Sequence, residues 1–406
     1  MKNALILSTV SGFLYKFEKE NVRLLQKLGY SVHYAANMEE QQYRFNPSVL
    51  EEMNVTAHHI SIARAPKMVG MNTNAYKQTK EIVEKYDIQL IHCHTPMGGF
   101  IGRLLRKDFG NKLKIIYTAH GFHFYKEAPL HRKAIFYLAE KLMARVTDAL
   151  ITVNREDYEA ASKFKLRQGG KLYQIPGVGL DYEYFSPCTK EEKSNIRSIN
   201  GLGKDIFHLA TVGEINENKN HIVVLEALEI MKQNDSSLGN KMRYSIWGDG
   251  FFKERLEQEI RKRNLEDVVT LEGYGADVRY SLSTVDAFVF PSIREGLGMA
   301  AIEALAMGIP TIASDNRGTR EFMRHKINGY VCAKNRPERY IEGIEFLLNR
   351  NEEERKKMEK QCIEGVLPFC KCNTNTIMDD VYHYIDEVER VQEEILCMCS
   401  SNRVTA

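Results

Sequence analysis

The sequence predicts an α/β protein built as two parallel-sheet halves, and three observations carry that prediction. Short apolar runs alternate with amphipathic stretches along most of the 406 residues, the rhythm of strands joined by crossover helices. The rhythm breaks once, over the polar and patternless residues 189–205, and then restarts. Late in the second half, the run 287–290 (AFVF) feeds a loop with two glycines and then an Ala-rich helix. That strand–loop–helix unit is where open α/β sheets bind ligands. At about 100–200 residues per domain, the length admits two or three domains, each with its own core.

Residues 4–7 (ALIL) open the first half as a buried strand, whose small, polar exit STVSG ends on Gly12. A helix over about 16–28 is stopped by Gly29, and SVHYAA (31–36) forms the second strand. Then come HHISI (58–62), a helix near 74–86, QLIHCH (89–94), a helix near 99–106 and KIIYTAH (114–120). A helix near 130–145, ALITV (149–153), a helix near 155–164 and KLYQIP (171–176) complete the half. Strands in such a series connect by right-handed crossovers and turn their carboxyl ends toward ligands.

The second half begins with HLATVG (208–213) and a helix from Asn220, read as its cap, through Met231. YSIWGDG (244–250) is a strand entering a glycine turn, with Trp247 assigned to the core, and VVTLEG starts the next strand. Pro291 stops the AFVF strand, MAAIEALAMG is a helix closed by Gly308, and 311–313 is a strand. After NGYVC the chain turns helical, at 337–348, 352–362 and roughly 376–395.

Composition limits the function classes. Hydrophobic content of 43% and charge of 27% are ordinary for a globular chain. No apolar run reaches the ~18 residues of a membrane span, and the N-terminal segment lacks a small-residue cleavage site, so a cytoplasmic protein is expected. Eight cysteines fit no disulfide framework in a chain this long. Cys93 and Cys332 read as core residues, and the C-x-C pairs at 370/372 and 397/399 lack zinc spacing, so they are taken as surface or packing residues. Residues 1–187 hold 26 Lys+Arg against 18 Asp+Glu, a balance of +8, whereas the rest hold 30 and 36, a balance of −6. A basic first half suits an anionic partner, a phosphate-bearing acceptor or an acidic membrane surface, or reflects scattered solvated lysines. In the helix near 130–145, Lys133, Tyr137 and Lys141 share one stripe and Ala134, Leu138 and Leu142 another. The Lys–Tyr–Lys stripe is read as a solvated face, with a membrane surface as the alternative. Nothing in the charge pattern points to nucleic acid.

Chemistry concentrates at strand ends. His92 and His94 lie in one strand, and His120 and His123 follow another. Paired histidines can bind metal, but no nearby carboxylate or cysteine completes a site, so no metal site is expected. His92 reads as structural, and His120 stands at a strand exit before Gly121. In the second half, Gly296 and Gly298 let backbone N–H groups approach a ligand closely, and the helix start favours a phosphate. Glu295 precedes that helix and Glu303 lies eight residues on, roughly 80° past two turns. Paired carboxylates accept hydrogen bonds from sugar or ribose hydroxyls, although a cap and a surface pair would look the same. No GxGxxG follows the first strand, which argues against a dinucleotide-binding dehydrogenase.

The stretch 291–315, with Gly318 and Glu321 after it, resembles the donor-site signature of retaining GT-B glycosyltransferases, specifically glycosyltransferase family four. The matching features are two glutamates eight apart around a glycine loop and the tail Pro310–Asp315 (PTIASD). The resemblance implies two Rossmann-like domains facing a cleft, with the last helix returning to the first. The implied boundaries are 1–187 for the acceptor-side domain, 188–205 for the linker and 206–370 for the nucleotide-sugar domain. Residues 371–396 would be the returning helix and 397–406 a tail. It implies glycosyl transfer from a nucleotide-sugar, expected to be a UDP-sugar, to a glycan or lipid-linked acceptor in surface polysaccharide biosynthesis, without a cofactor or metal. A GT-B epimerase and a non-catalytic nucleotide-sugar binder are the alternatives.

By the same resemblance, Glu303 would hold the ribose, Glu295 the sugar and Lys219 the diphosphate. The backbone of Gly296, Leu297, Gly298 and Met299 would meet the leaving group, with Gly213 and Tyr274 bordering the donor. His120 would lie beside the reacting carbon, and Gly12, His94 and His123 would line the acceptor side. One residue departs from the pattern: Glu214 stands where the family carries an arginine that binds the diphosphate.

Overall fold

The computed structural model describes residues 2–40, 47–125, 128–275 and 277–401, with side chains described as far as Glu387 in the last helix. The chain divides into two compact units, Met1–Val178 with Cys372–Ala406, and Gly179–Lys371. Each is built on one parallel sheet. In the first, β1 (Lys2–Val10), β2 (Tyr30–Asn37), β3 (Val55–His59), β4 (Leu90–His94), β5 (Lys114–Ala119), β6 (Ala149–Thr152) and β7 (Lys171–Gln174) lie in the order β3-β2-β1-β4-β5-β6-β7. In the second, β8 (Phe207–Val212), β9 (Met242–Trp247), β10 (Val269–Gly273), β11 (Ala287–Phe290), β12 (Thr311–Ser314) and β13 (Gly329–Cys332) lie in the order β10-β9-β8-β11-β12-β13. β4, β5, β6, β11 and β12 are buried at every position, as parallel strands covered on both faces must be. The strand order reverses between β1 and β4, and again between β8 and β11. Such reversals open a crevice beyond the carboxyl ends of the strands, and this places the chemistry.

The first unit is closed by the helix Lys371–Ser401. Met378, Val381, Tyr382 and Ile385 are buried at helical spacing, each worth about 1.5–3 kcal/mol of apolar burial. Asp386 pairs with Lys2 and accepts from the Tyr30 hydroxyl at 3.2 Å, and the Thr374 hydroxyl donates to the Gly177 carbonyl at 3.2 Å.

Several local expectations change. The third strand covers 55–59 rather than 58–62, and Ile60 and Ile62 are buried beyond its end. Residues 188–205, read as linker, contain the helix Lys190–Ile199, begun by a capping box between Thr189 and Glu192. Arg197 from this helix is buried, donating to Asp286 and to the Thr284 carbonyl at 2.9 Å each. The stretch therefore packs within the second unit. Cys370 and Cys372 are each disulfide-bonded, whereas the sequence reading took them as surface or packing residues.

The helix Leu130–Ala144 is turned over relative to its pattern. Tyr137 packs inward, its ring edge-on to Phe124 and Phe164 at 5.3 Å each. Leu130, Ile135, Leu138 and Leu142 are left 84, 65, 56 and 47% exposed. The aromatic stripe wins the interior because it joins the existing Phe122, Phe124 and Phe164 cluster.

Candidate active site

In the first unit, β4 ends on His94, β5 is followed by His120, and both belong to the side of the sheet where the strand order reverses. Their rings meet, His94 Nδ1 lying 3.2 Å from His120 Nε2. Phe13 packs on both, with centroids 5.2 and 5.3 Å away. Gly12, just past β1, accepts from the Lys16 N–H at 3.1 Å as the chain enters a π-helical turn, Leu14–Glu18. That turn delivers a residue that sequence reasoning missed: Glu18, fully buried, with Oε1 3.4 Å from His94 Nδ1. His123 is not gathered into this cluster, because its ring lies against Phe136 at 5.1 Å.

Burial dominates the electrostatics of this cluster. Desolvation lowers His92 to about 3 and His120 to about 4, and holds His94 well below the ordinary range, so the rings are neutral at pH 7. The same desolvation pushes Glu18 up to about 8, against a hydrogen bond from Asn21 at 2.5 Å. Glu18, His92 and His94 bring potential ligand atoms within 4.8 Å of one another, so a carboxylate does approach the histidine pair. His92, however, has both nitrogens engaged, Nδ1 with the Tyr382 hydroxyl and Nε2 with the Thr118 hydroxyl, each at 2.8 Å. The trio is a hydrogen-bonded core rather than an open coordination shell.

In the second unit, the segments after β8 and β11 come together. Lys219 Nζ pairs with Glu295 at 2.7 Å and lies over the Phe290 ring at 5.0 Å. Gly213 leaves room for the lysine stem: a Cβ there would sit 3.3 Å from Lys219 Cε. Asn220 does not cap the following helix. It adopts φ +53° and donates to the Pro291 carbonyl at 3.3 Å, while Asn216 accepts from the Lys219 N–H at 3.1 Å. The loop 291–298 is held from both sides. Its Ile293 N–H donates to the Asn218 carbonyl and Asn218 donates to the Arg294 carbonyl, each at 2.8 Å. Arg317 Nε donates to the Glu295 carbonyl at 3.3 Å.

One glycine of this loop is required by geometry. Gly298 has φ +109°, and a Cβ would lie 2.8 Å from the Phe290 ring. Leu297 is buried, Gly296 is half-buried, and Met299 opens the helix Met299–Ala306. Glu303 lies within this helix, half-buried, and its charge acts on Tyr184. The Tyr184 hydroxyl donates to Asp277 at 2.8 Å; burial first, then Asp277, push it up to about 12. Tyr274 is exposed at the end of β10. Glu295 and Lys219 are thus brought together, whereas Glu303 stands separately beside Tyr184.

Each of the two doubly wound units thus carries a cluster of polar side chains at its strand-order reversal, a neutral imidazole cluster in one and a lysine–glutamate pair on a glycine loop in the other. Residues 192–364 match the family of glycosyl transferases group 1, and residues 4–154 match the glycosyl transferase 4-like family. Putative glycosyltransferase EpsD of Bacillus subtilis is 33% identical over 387 residues, covering 95% of this chain and 97% of the relative. The chain belongs to the group 1, family-four glycosyltransferases and is an enzyme of that class. The Escherichia coli UDP-Gal:α-D-GlcNAc-diphosphoundecaprenol α-1,3-galactosyltransferase is 29% identical over 271 residues, 66% of this chain and 67% of that protein. Among solved structures, Anabaena HepE in complex with UDP-glucose superposes with a TM-score of 0.73 at 16% identity, covering 94% of this chain and all of that one. That likeness identifies the fold as GT-B.

Proposed function

We propose that the protein is a retaining glycosyltransferase that moves a sugar from a UDP-sugar to a lipid-linked or glycan acceptor in surface polysaccharide biosynthesis. The observation that carries this reading is the Lys219–Glu295 pair, 2.7 Å apart, on a glycine loop that opens the helix Met299–Ala306. An arriving diphosphate competes with Glu295 for Lys219. The lysine and the N–H groups of Gly296–Met299 then meet the charge developing on the leaving group, the stabilisation that acyl and phosphoryl sites also use. Glu295, released from the lysine, accepts from sugar hydroxyls. Glu303 accepts from the ribose, and Gly213 and Tyr274 border the nucleotide. His120, neutral, acts beside the reacting carbon, with Gly12, His94 and His123 on the acceptor side. Glu214 leaves the diphosphate to Lys219 and the loop backbone. The names of the E. coli relative and of the HepE complex support UDP as the nucleotide and a lipid diphosphate as the acceptor class.

The exposed stripe Leu130, Ile135, Leu138 and Leu142 has a use in this reading. It is flanked by the exposed cations Arg132, Lys141 and Arg145, a combination that rests on an anionic lipid surface. Among the described residues no helix is long and apolar enough to cross a membrane, so contact would be peripheral.

The test is a screen of nucleotide sugars for thermal stabilisation, since a ligand that binds the native state raises its apparent stability. UDP release is then followed with and without lipid diphosphate acceptors. Stabilisation by a UDP-sugar with acceptor-dependent UDP release is expected. Donor turnover without acceptor would instead identify an epimerase, and binding without any turnover a non-catalytic binder.

A further inference from the structure

We propose that Glu18 and His94 are positioning residues that set the tautomer of His120. This rests on the reading of His120 as the imidazole that serves the reaction. It begins from a contact that the fold had to build. Glu18 enters from the turn after β1, His94 from the end of β4 and His120 from the end of β5. One atom, His94 Nδ1, faces both partners, Glu18 Oε1 at 3.4 Å and His120 Nε2 at 3.2 Å. The opposite nitrogen, His94 Nε2, is buried without a hydrogen-bond partner among the described residues. Only Nδ1 can therefore communicate, and it can be a donor or an acceptor but not both.

The two protonation states of Glu18 demand opposite roles of that atom. When Glu18 carries its proton, it donates to Nδ1, and the His94 proton sits on Nε2. His120 must then point Nε2–H at the same lone pair, since two facing lone pairs would repel, and its own Nδ1 is left as an acceptor. When Glu18 ionises, the buried carboxylate needs a donor, and His94 Nδ1–H supplies it. His120 Nε2 then faces a hydrogen and becomes the acceptor, so its proton moves to Nδ1. The outer nitrogen of His120 switches from base to donor.

Burial places the midpoint of Glu18 at about 8. The other titratable groups facing the acid are His92 from β4, Tyr34 from β2 and Tyr382 from the last helix. His92 titrates near 3 and the two tyrosines far above neutrality, so none changes charge between pH 6 and 9. A cavity of about 20 Å³ lined by Glu18, Asn21, Thr118 and His120 has room for one water through which protons could equilibrate.

The experiment uses the full chain with ¹⁵N-labelled histidine and no donor. Long-range ¹⁵N–¹H spectra distinguish the two tautomers, and a His120→Gln spectrum assigns the signal. The expected result is exchange of the His120 tautomer with a midpoint near pH 8 in the wild type. That exchange should be lost in Glu18→Gln, which keeps the shape of the side chain and cannot titrate, and in His94→Asn. A tautomer that does not change with pH, or that changes identically in folded Glu18→Gln, overturns the proposal. Because this arm needs no sugar, it is separable from the transferase reading, which fails instead if no nucleotide sugar yields acceptor-dependent UDP release.

Discussion

The two units reach the same topological point and furnish it in opposite ways. At the β1/β4 reversal the chain gathers neutral rings, the buried His92 and His94 and the half-buried His120, around one buried acid, Glu18. At the β8/β11 reversal it sets an ion pair, Lys219–Glu295, on a half-buried glycine loop. The strand order is common to both, so the fold decides where a site forms but not its chemistry. A half-buried lysine paired with a carboxylate can meet a phosphate. Imidazoles sealed from water give up theirs and are left to hold or pass a proton. Under the proposed function, the difference would give charge stabilisation to the second unit and neutral positioning to the first.

That assignment is broken most directly by removing the cation. Lys219→Ala is expected to lower turnover by ~10–1,000-fold, the range for losing one electrostatic contact to a developing charge. A wild-type rate would return Lys219 to a purely structural role. His120→Ala comes next, with turnover down on the order of 100-fold and nucleotide affinity measured by calorimetry near the wild-type value. A matching loss of affinity would place His120 in ground-state binding and erase the contrast between the units. Glu303→Ala should weaken UDP binding about 10-fold, the equivalent of one hydrogen bond to a charged group. Unchanged affinity would remove the ribose role from Glu303 and leave its charge acting on Tyr184.

The second unit was more legible in sequence than the first, for a physical reason. A ligand loop between strand and helix is written in consecutive residues. Ala287–Phe290, the glycines and the helix at Met299 therefore declared themselves. Lys219 was found only through resemblance, and its pairing with Glu295 depends on β8 lying beside β11. In the first unit the decisive acid, Glu18, lies in a stretch that reads as an ordinary charged helix, FEKE, and 76 positions before His94. Its burial comes from the turn after β1 and from β4 pairing with β1. The inward face of Leu130–Ala144 was hidden similarly. Periodicity grouped its leucines and grouped Tyr137 with lysines, but the choice between the stripes was made by aromatic partners elsewhere in the chain. The helix Lys190–Ile199 could have been found, because T-x-x-E at 189–192 is a capping box in plain sequence.

The smallest effect sharpens the comparison through stability. Glu18 has its pKa raised from 4.5 to about 8 on folding. A raised pKa means that the folded state holds the proton more tightly, so this contribution is complete below pH 4.5 and is lost as pH climbs through 8. The buried histidines act in the other direction. His92, His120, His208 and His221 fall from 6.5 to about 3 or 4, so their contribution holds above 6.5 and erodes in acid. The unfolded histidines are still half-charged at pH 6.5 and lose most of that charge by about pH 7.5, so between about pH 7.5 and 8.5 Glu18 dominates the slope among these groups. Chemical denaturation across that window should show stability falling by up to about 1.4 kcal/mol per pH unit. In Glu18→Gln the slope should vanish, while the acid-side loss common to both units stays. A slope that survives the substitution would mean that Glu18 is solvated, and the neutral character of the first site would then have to come from the histidines alone.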